Sequence, residues 1–190
     1  MSLPDSLGRG RRLAVDVGAV RVGVAISDPD GILATPLLTL PRDAPGWAAW
    51  TQARAALRRK DALPAPGPQE GVLPAEGAAP AEPRIPKDVA DLALLVAEHE
   101  VVEVVVGLPI TLSGTESYAA IHARTYAQVV AEAIAPVPVV LTDERMSTAA
   151  AARRLSERGV RGGRRRAVVD QAAAVEILQG WLDARRRRNG

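Results

Sequence analysis

Four acids in the chain have the type and spacing for hydrolytic chemistry on a phosphate ester. Asp16 stands where an apolar, β-prone run, Leu13 to Val17, meets Gly18. Alternation along a strand puts Leu13, Val15 and Val17 on one face and Ala14 and Asp16 on the other. A carboxylate projecting from such a strand is costly unless a partner, a metal ion or water meets it. Asp143 and Glu144 follow a second run, Val137 to Leu141, and Asp170 is read as opening the last helix, where its charge suits the positive end of the helix dipole. Ligands of mixed and parallel sheets gather at the carboxyl ends of the central strands, which brings these acids to one rim. Carboxylates gathered there suit Mg²⁺ or Mn²⁺, hard cations that take oxygen ligands. A pair of such ions about 3.5–4 Å apart activates water and stabilises the leaving oxygen of a phosphodiester. The chemistry indicated is hydrolysis of a nucleic-acid backbone.

Small and basic residues accompany the acids. Gly18, Gly23 and Gly107 remove side chains near the rim, so that a backbone or a phosphate can approach closely. Arg21, Arg145, Arg161, Arg164, Arg165 and Arg166 are the candidates for holding phosphates. His99 and His122 lie on separate helical patterns and read as surface or packing residues. There is no P-loop and no G-x-S-x-G motif. Aromatics do not interleave with the basic residues, so stacking of the single-strand-binding type has no sequence support.

The elements that must position these residues are legible as patterns. Leu13–Val17 and Val22–Ile26 flank a Gly18 turn as a hairpin, and residues 31–40 read as a third strand with Pro36 marking an edge or bulge. Residues 47–60 have helical spacing, with Trp47 and Trp50 as packing residues. A helix over 87–100 leads to the β-branched run Val101 to Val106, which ends at Gly107-Leu108-Pro109 and should be buried on both faces. Residues 113–135 read as a helix and 137–141 as a strand. Ser147 or Thr148 caps a further helix ending near Gly159, and the last helix covers about 166–186. A meander followed by alternating helices and strands implies an α/β fold, a mixed sheet with helices on both sides. Right-handed crossovers place the Asp16 strand beside the Val101 strand.

One domain is the expectation for 190 residues, interrupted at 61–86 by a Pro-, Ala- and Gly-rich insertion with few bulky apolar side chains and ending in a basic tail at 185–190. The absence of cysteine excludes disulfides and thiolate metal sites. No signal peptide or membrane-length apolar run is seen, so a soluble cytoplasmic protein is expected. The net charge is only +2, but arginines cluster at 9–12, 153–154, 158–166 and 185–188. Such clusters can neutralise phosphates.

Four motifs in order give the chain a family resemblance. They are Asp16-x-Gly18 with Arg21-x-Gly23-Val24-Ala25-x-Ser27-Asp28, then Val106-Gly107-Leu108-Pro109, then Asp143-Glu144-Arg145-x-Ser147-Thr148, and then Val169-Asp170-x-x-Ala173-Ala174 with Ile177-Leu178-Gln179. Over about residues 11–60 and 87–183 the sequence resembles the YqgF (RuvX) family. The resemblance implies an RNase H-like fold shared with the RuvC resolvases: a five-stranded mixed sheet in which an antiparallel three-strand meander is joined by two parallel strands. It further implies a metal-dependent nuclease, with Asp16 and Asp170 as metal-binding acids and a third from Asp143 or Glu144. The substrates implied are the 5′ end of pre-16S rRNA or a four-way DNA junction, cut by a monomer or a homodimer. Three departures stand out: Val20 where a basic residue is often found, Ser117 in place of a Gly, and the 61–86 insertion. A non-catalytic RNA-binding assembly factor is the competing reading, against which the retained acids weigh. A relation to actin-like ATPases lacks the second phosphate loop and the chain length it would need.

Overall fold

A computed structural model describes residues 9–61, 84–109, 117–143 and 163–189. The chain divides into two compact units, one formed by the residues up to Arg42 with those from Asp88 onward, the other by Asp43–Lys87. The first unit carries a five-stranded sheet of β1 (Arg11–Val17), β2 (Arg21–Ser27), β3 (Ala34–Pro41), β4 (Val101–Leu108) and β5 (Val139–Asp143), in the order β3-β2-β1-β4-β5. The β1–β2 and β2–β3 pairs are antiparallel, whereas β1–β4 and β4–β5 are parallel. This is the mixed sheet that the sequence patterns imply, with the Asp16 strand at its centre beside the Val101 strand.

The period-two pattern decides what covers each face. Ala14, Ala25 and Val105 form one core with Ala174, Ile177, Leu178, Trp181 and Leu182 of the last helix, α4 (Gly163–Asn189). Leu108 turns the other way and packs with Ala120 and Ala123 of α3 (Tyr118–Ile134). α2 (Lys87–Glu98) buries Val89, Leu92 and Val96. Helices therefore lie on both faces of the sheet.

Several boundaries differ from the sequence patterns for identifiable reasons. β3 begins at Ala34 because Asp28 holds residues 30–33 in a loop, its carboxylate accepting N–H bonds from Asp30, Ile32 and Leu33 at 3.2, 2.7 and 2.7 Å. Gly31 takes φ +66° in that loop, a conformation that side chains disfavour. Val24 pairs with Leu38 but Ala25 pairs with Pro36, so Leu37 is the extra residue of a bulge on this edge strand. α3 starts at Tyr118, capped by Ser117, whose hydroxyl accepts from the Ala120 N–H. Residues 110–116 and the helix expected after Ser147 lie outside the described residues.

Two buried charge networks brace this unit. Arg42 lies 3.4 Å from the fully buried carboxylate of Asp88 and packs 5.0 Å above the ring of Tyr126, joining the end of β3 to α2 and α3. Burial, with the Asp88 charge second, pushes the Tyr126 phenol far above its ordinary pKa, so it stays protonated. At the amino end of the sheet Arg185 donates to both oxygens of Glu103 at 3.2 and 2.9 Å, and buried Arg12 lies 3.5 Å from the same carboxylate. The helix runs on to Asn189, so Arg185 is a structural residue, while Arg186, Arg187 and Arg188 are exposed.

The second unit contains α1 (Ala44–Asp61). Asp43 starts it, its carboxylate accepting from Gly46 N–H at 3.0 Å and from Lys87 N–H at 2.9 Å. These bonds, Lys87 foremost, hold the Asp43 carboxyl below the usual range. Trp47 and Trp50 are half-buried and pack edge to face at 5.8 Å, with Arg54 stacked 5.1 Å from the Trp50 ring. Most of the 61–86 insertion lies outside the described residues.

Candidate active site

The carboxyl rim is assembled by register. On one face of β1 the side chains are Arg12, Ala14 and Asp16, and the last is only 3% exposed. Asp16 pairs with Gly23 on β2, and opposite residues of an antiparallel pair share a face. A Cβ at Gly23 would overlap the Asp170 carbonyl and lie 3.2 Å from the Gln171 N atom, so the glycine lets α4 rest its backbone on the sheet. Asp170 stands three and four residues before Ala173 and Ala174, on the helix stripe that faces the sheet. Since Ala14 and Ala174 share a core, Asp16 on the strand and Asp170 on the helix lie one step toward the rim, at the same end of that interface.

Asp170 does not open its helix. α4 begins at Gly163, so the residue stands about two turns in, and the dipole argument gives way to one of packing. The helix expected from about residue 166 thus starts at residue 163.

Asp143 ends β5, opposite Leu108, which itself packs toward α3. It shares the rim with Asp16 but falls on the other face of the sheet, because two-residue alternation sends Gly107 and Thr142 toward the α4 side. Glu144 lies outside the described residues, as do Arg145 and Arg161. Arg164, Arg165 and Arg166 fall on the first turns of α4. Among the described residues there is no group of three or more His, Cys, Asp or Glu that could hold a metal ion.

The remaining candidates have separate places. Gly18 closes the hairpin, donating its N–H to the Arg21 carbonyl at 2.9 Å, and a Cβ there would lie 2.7 Å from that oxygen. Arg21 is half-buried at the start of β2, Val20 beside it is 69% exposed, and Gly107 is buried in β4. Gln179 is a positioning residue that a sequence motif contains without explaining. Its amide accepts from Ala34 N–H at 2.9 Å and donates to the Ile32 carbonyl at 3.0 Å, tying α4 to the start of β3.

A sheet of this order, with an acid at the rim of its central strand and a second on the helix laid across it, places the protein in the RNase H-like class. A family model described as "RuvX: Holliday junction resolvase" matches residues 10–62 and 71–184. The chain belongs to the RuvX family. It is 45% identical over 96% of its length to a Rhodococcus erythropolis protein, covering 83% of that chain, and 46% identical over 96% to one from Mycolicibacterium smegmatis, covering 85%. Both relatives bear the name "Putative pre-16S rRNA nuclease". Among solved structures, a T. thermophilus RuvC bound to a Holliday junction substrate aligns with 93% of this chain and 96% of its own, at TM-score 0.43 and 14% identity. No helix among the described residues is long and apolar enough to cross a membrane.

Proposed function

We propose that the protein is a metal-dependent endonuclease that cuts the phosphodiester backbone of structured nucleic acid, with the 5′ end of pre-16S rRNA as its substrate. The observation that carries this reading is the seating of Asp170 on Gly23, directly across the ladder from buried Asp16. The names of the close relatives support the substrate. The donor set fits a hard divalent cation: carboxylates only, one of them buried on the central strand, in a chain without cysteine. Asp16 and Asp170 would hold Mg²⁺ or Mn²⁺. Asp143 or Glu144 would supply the third acid, and Asp143 shares a face with Leu108. A bound ion would supply Lewis-acid stabilisation of the developing phosphate charge and a more acidic water. Asp16, desolvated on its strand, is the fixed point of the site, and α4 carries Asp170 to it. Arg21 and the arginines at 164–166 hold the substrate's phosphates.

The family description favours a second substrate, a four-way DNA junction. Purified protein is incubated with Mg²⁺, Mn²⁺ or chelator on a pre-16S rRNA 5′ fragment and on a synthetic junction, with Asp16→Asn as control. Metal-dependent cutting of the RNA, lost in the variant, is the expected result. Cutting of the junction alone transfers the assignment to resolvase, and binding of RNA without cutting under any metal transfers it to a non-catalytic assembly factor.

A further inference from the structure

We propose that Tyr118 is a stacking platform for a base of the nucleic-acid strand lying on the carboxyl rim. The inference rests on the nuclease reading and deepens it by naming a side chain that holds the substrate. Aromatic side chains are scarce here, with no Phe, two Tyr and three Trp. The other tyrosine, Tyr126, is fully buried, whereas Tyr118 is 78% exposed at the first position of α3. Water contact on that scale costs a phenol ring its hydrophobic contribution to folding, so packing does not account for the residue.

The ring's place is set by the strand that precedes it. Ser117, the cap of α3, donates its hydroxyl to the Pro109 carbonyl at 3.3 Å, and Pro109 directly follows the last residue of β4. Tyr118 is thereby tied to the end of the strand hydrogen-bonded on one side to β1, which carries Asp16, and on the other to β5, which ends at Asp143. His122, one turn on, packs edge to face against the ring at 4.3 Å, which limits its rotation. Ile121 beside it is 52% exposed and extends the apolar surface. A ring steadied from one side and open to solvent at the rim matches the flat face of an unpaired base, and such stacking tolerates any base because each has a π-face.

The test is equilibrium binding of a fluorescent pre-16S rRNA 5′ fragment, and of the same RNA with 2-aminopurine at single-stranded positions, to wild-type protein, Tyr118→Ala and Tyr118→Trp. Circular dichroism checks that each variant is folded. The alanine variant is expected to bind roughly tenfold more weakly, as loss of one base–aromatic stack implies, and to lose the 2-aminopurine quenching that the tryptophan variant keeps. Alanine and wild-type proteins binding equally, with unchanged quenching, overturns the platform while leaving the nuclease reading in place. Wild-type protein that binds no nucleic acid overturns both.

Discussion

Gly23 and Asp170 meet backbone to backbone, so closely that a Cβ at position 23 would fall 2.5 Å from the Asp170 carbonyl carbon. Because Gly23 is also the ladder partner of Asp16, this contact sets how near the two acids come. Gly23→Ala must lift α4 from the sheet at Asp170, an overpacking that costs about 1–3 kcal/mol. Thermal unfolding should report that loss. Cleavage should fall further than stability does, about a hundredfold, since a displacement of roughly 1 Å misaligns reacting groups. Near wild-type cutting by a destabilised variant would show that the acids need not be held at this spacing.

Asp16→Asn and Asp170→Asn should each abolish cleavage of the RNA fragment while the protein stays folded. Asp16 is 3% exposed on the central strand, and the amide keeps the shape of the carboxylate while removing its charge. A further readout is metal itself: added Mn²⁺ should raise the melting temperature of wild-type protein and not that of Asp16→Asn, because a ligand stabilises only the state that binds it.

Asp88→Ala should destabilise the protein by about 3–5 kcal/mol, because it leaves Arg42, with an 11% exposed side chain, charged and buried without its carboxylate. Urea unfolding measures this. The pair braces α2 and α3 away from the candidate acids, so the folded fraction should cut at the wild-type rate. An Asp88→Ala protein as stable as wild type would mean that water replaces the pair.

Acid should loosen the loop after β2. Bonds from backbone N–H groups, that of Leu33 first, hold the Asp28 carboxyl below its ordinary value, and the Gln179 amide does the same for Asp183. A carboxyl whose folded pKa lies below the unfolded one adds stability that is complete above the unfolded value, near 3.9, and is lost as pH falls through the folded value. Both groups lie close to solvent, so the effect should stay under about 1 kcal/mol. Melting curves from about pH 6 down to pH 2.5 should show it, with a flatter acid limb in Asp28→Asn.

Replacing Arg164, Arg165 and Arg166 by Gln should weaken RNA binding and flatten its dependence on salt, since every phosphate that is no longer neutralised keeps its condensed counterion. An unchanged salt slope would return these arginines to a purely solvated helix surface.

The strands, their order and the acids at their ends could be read from the chain, because alternation and β-branched runs are local signals tied to burial. A bulge at Pro36 was legible too, since proline cannot donate to the ladder. What lay beyond reach depends on which elements meet. The sequence patterns put Asp170 at the opening of the last helix, but that helix starts at Gly163, and the glycine under Asp170 fixes where its backbone rests. The face on which Asp143 falls follows from its pairing with Leu108, which no local pattern encodes. Arg12 and Arg185 counted as parts of basic clusters until tertiary structure joined both to Glu103. Exposure of Tyr118 is likewise a property of the packed molecule, for its neighbours Ala120 and Ala123 take the buried positions of α3. The sequence by itself determined the periods, the presence of the strands and the chemistry on offer. Only the tertiary structure decided which charges pair with each other and which meet at the rim, because those choices are made by contacts between residues far apart in the chain.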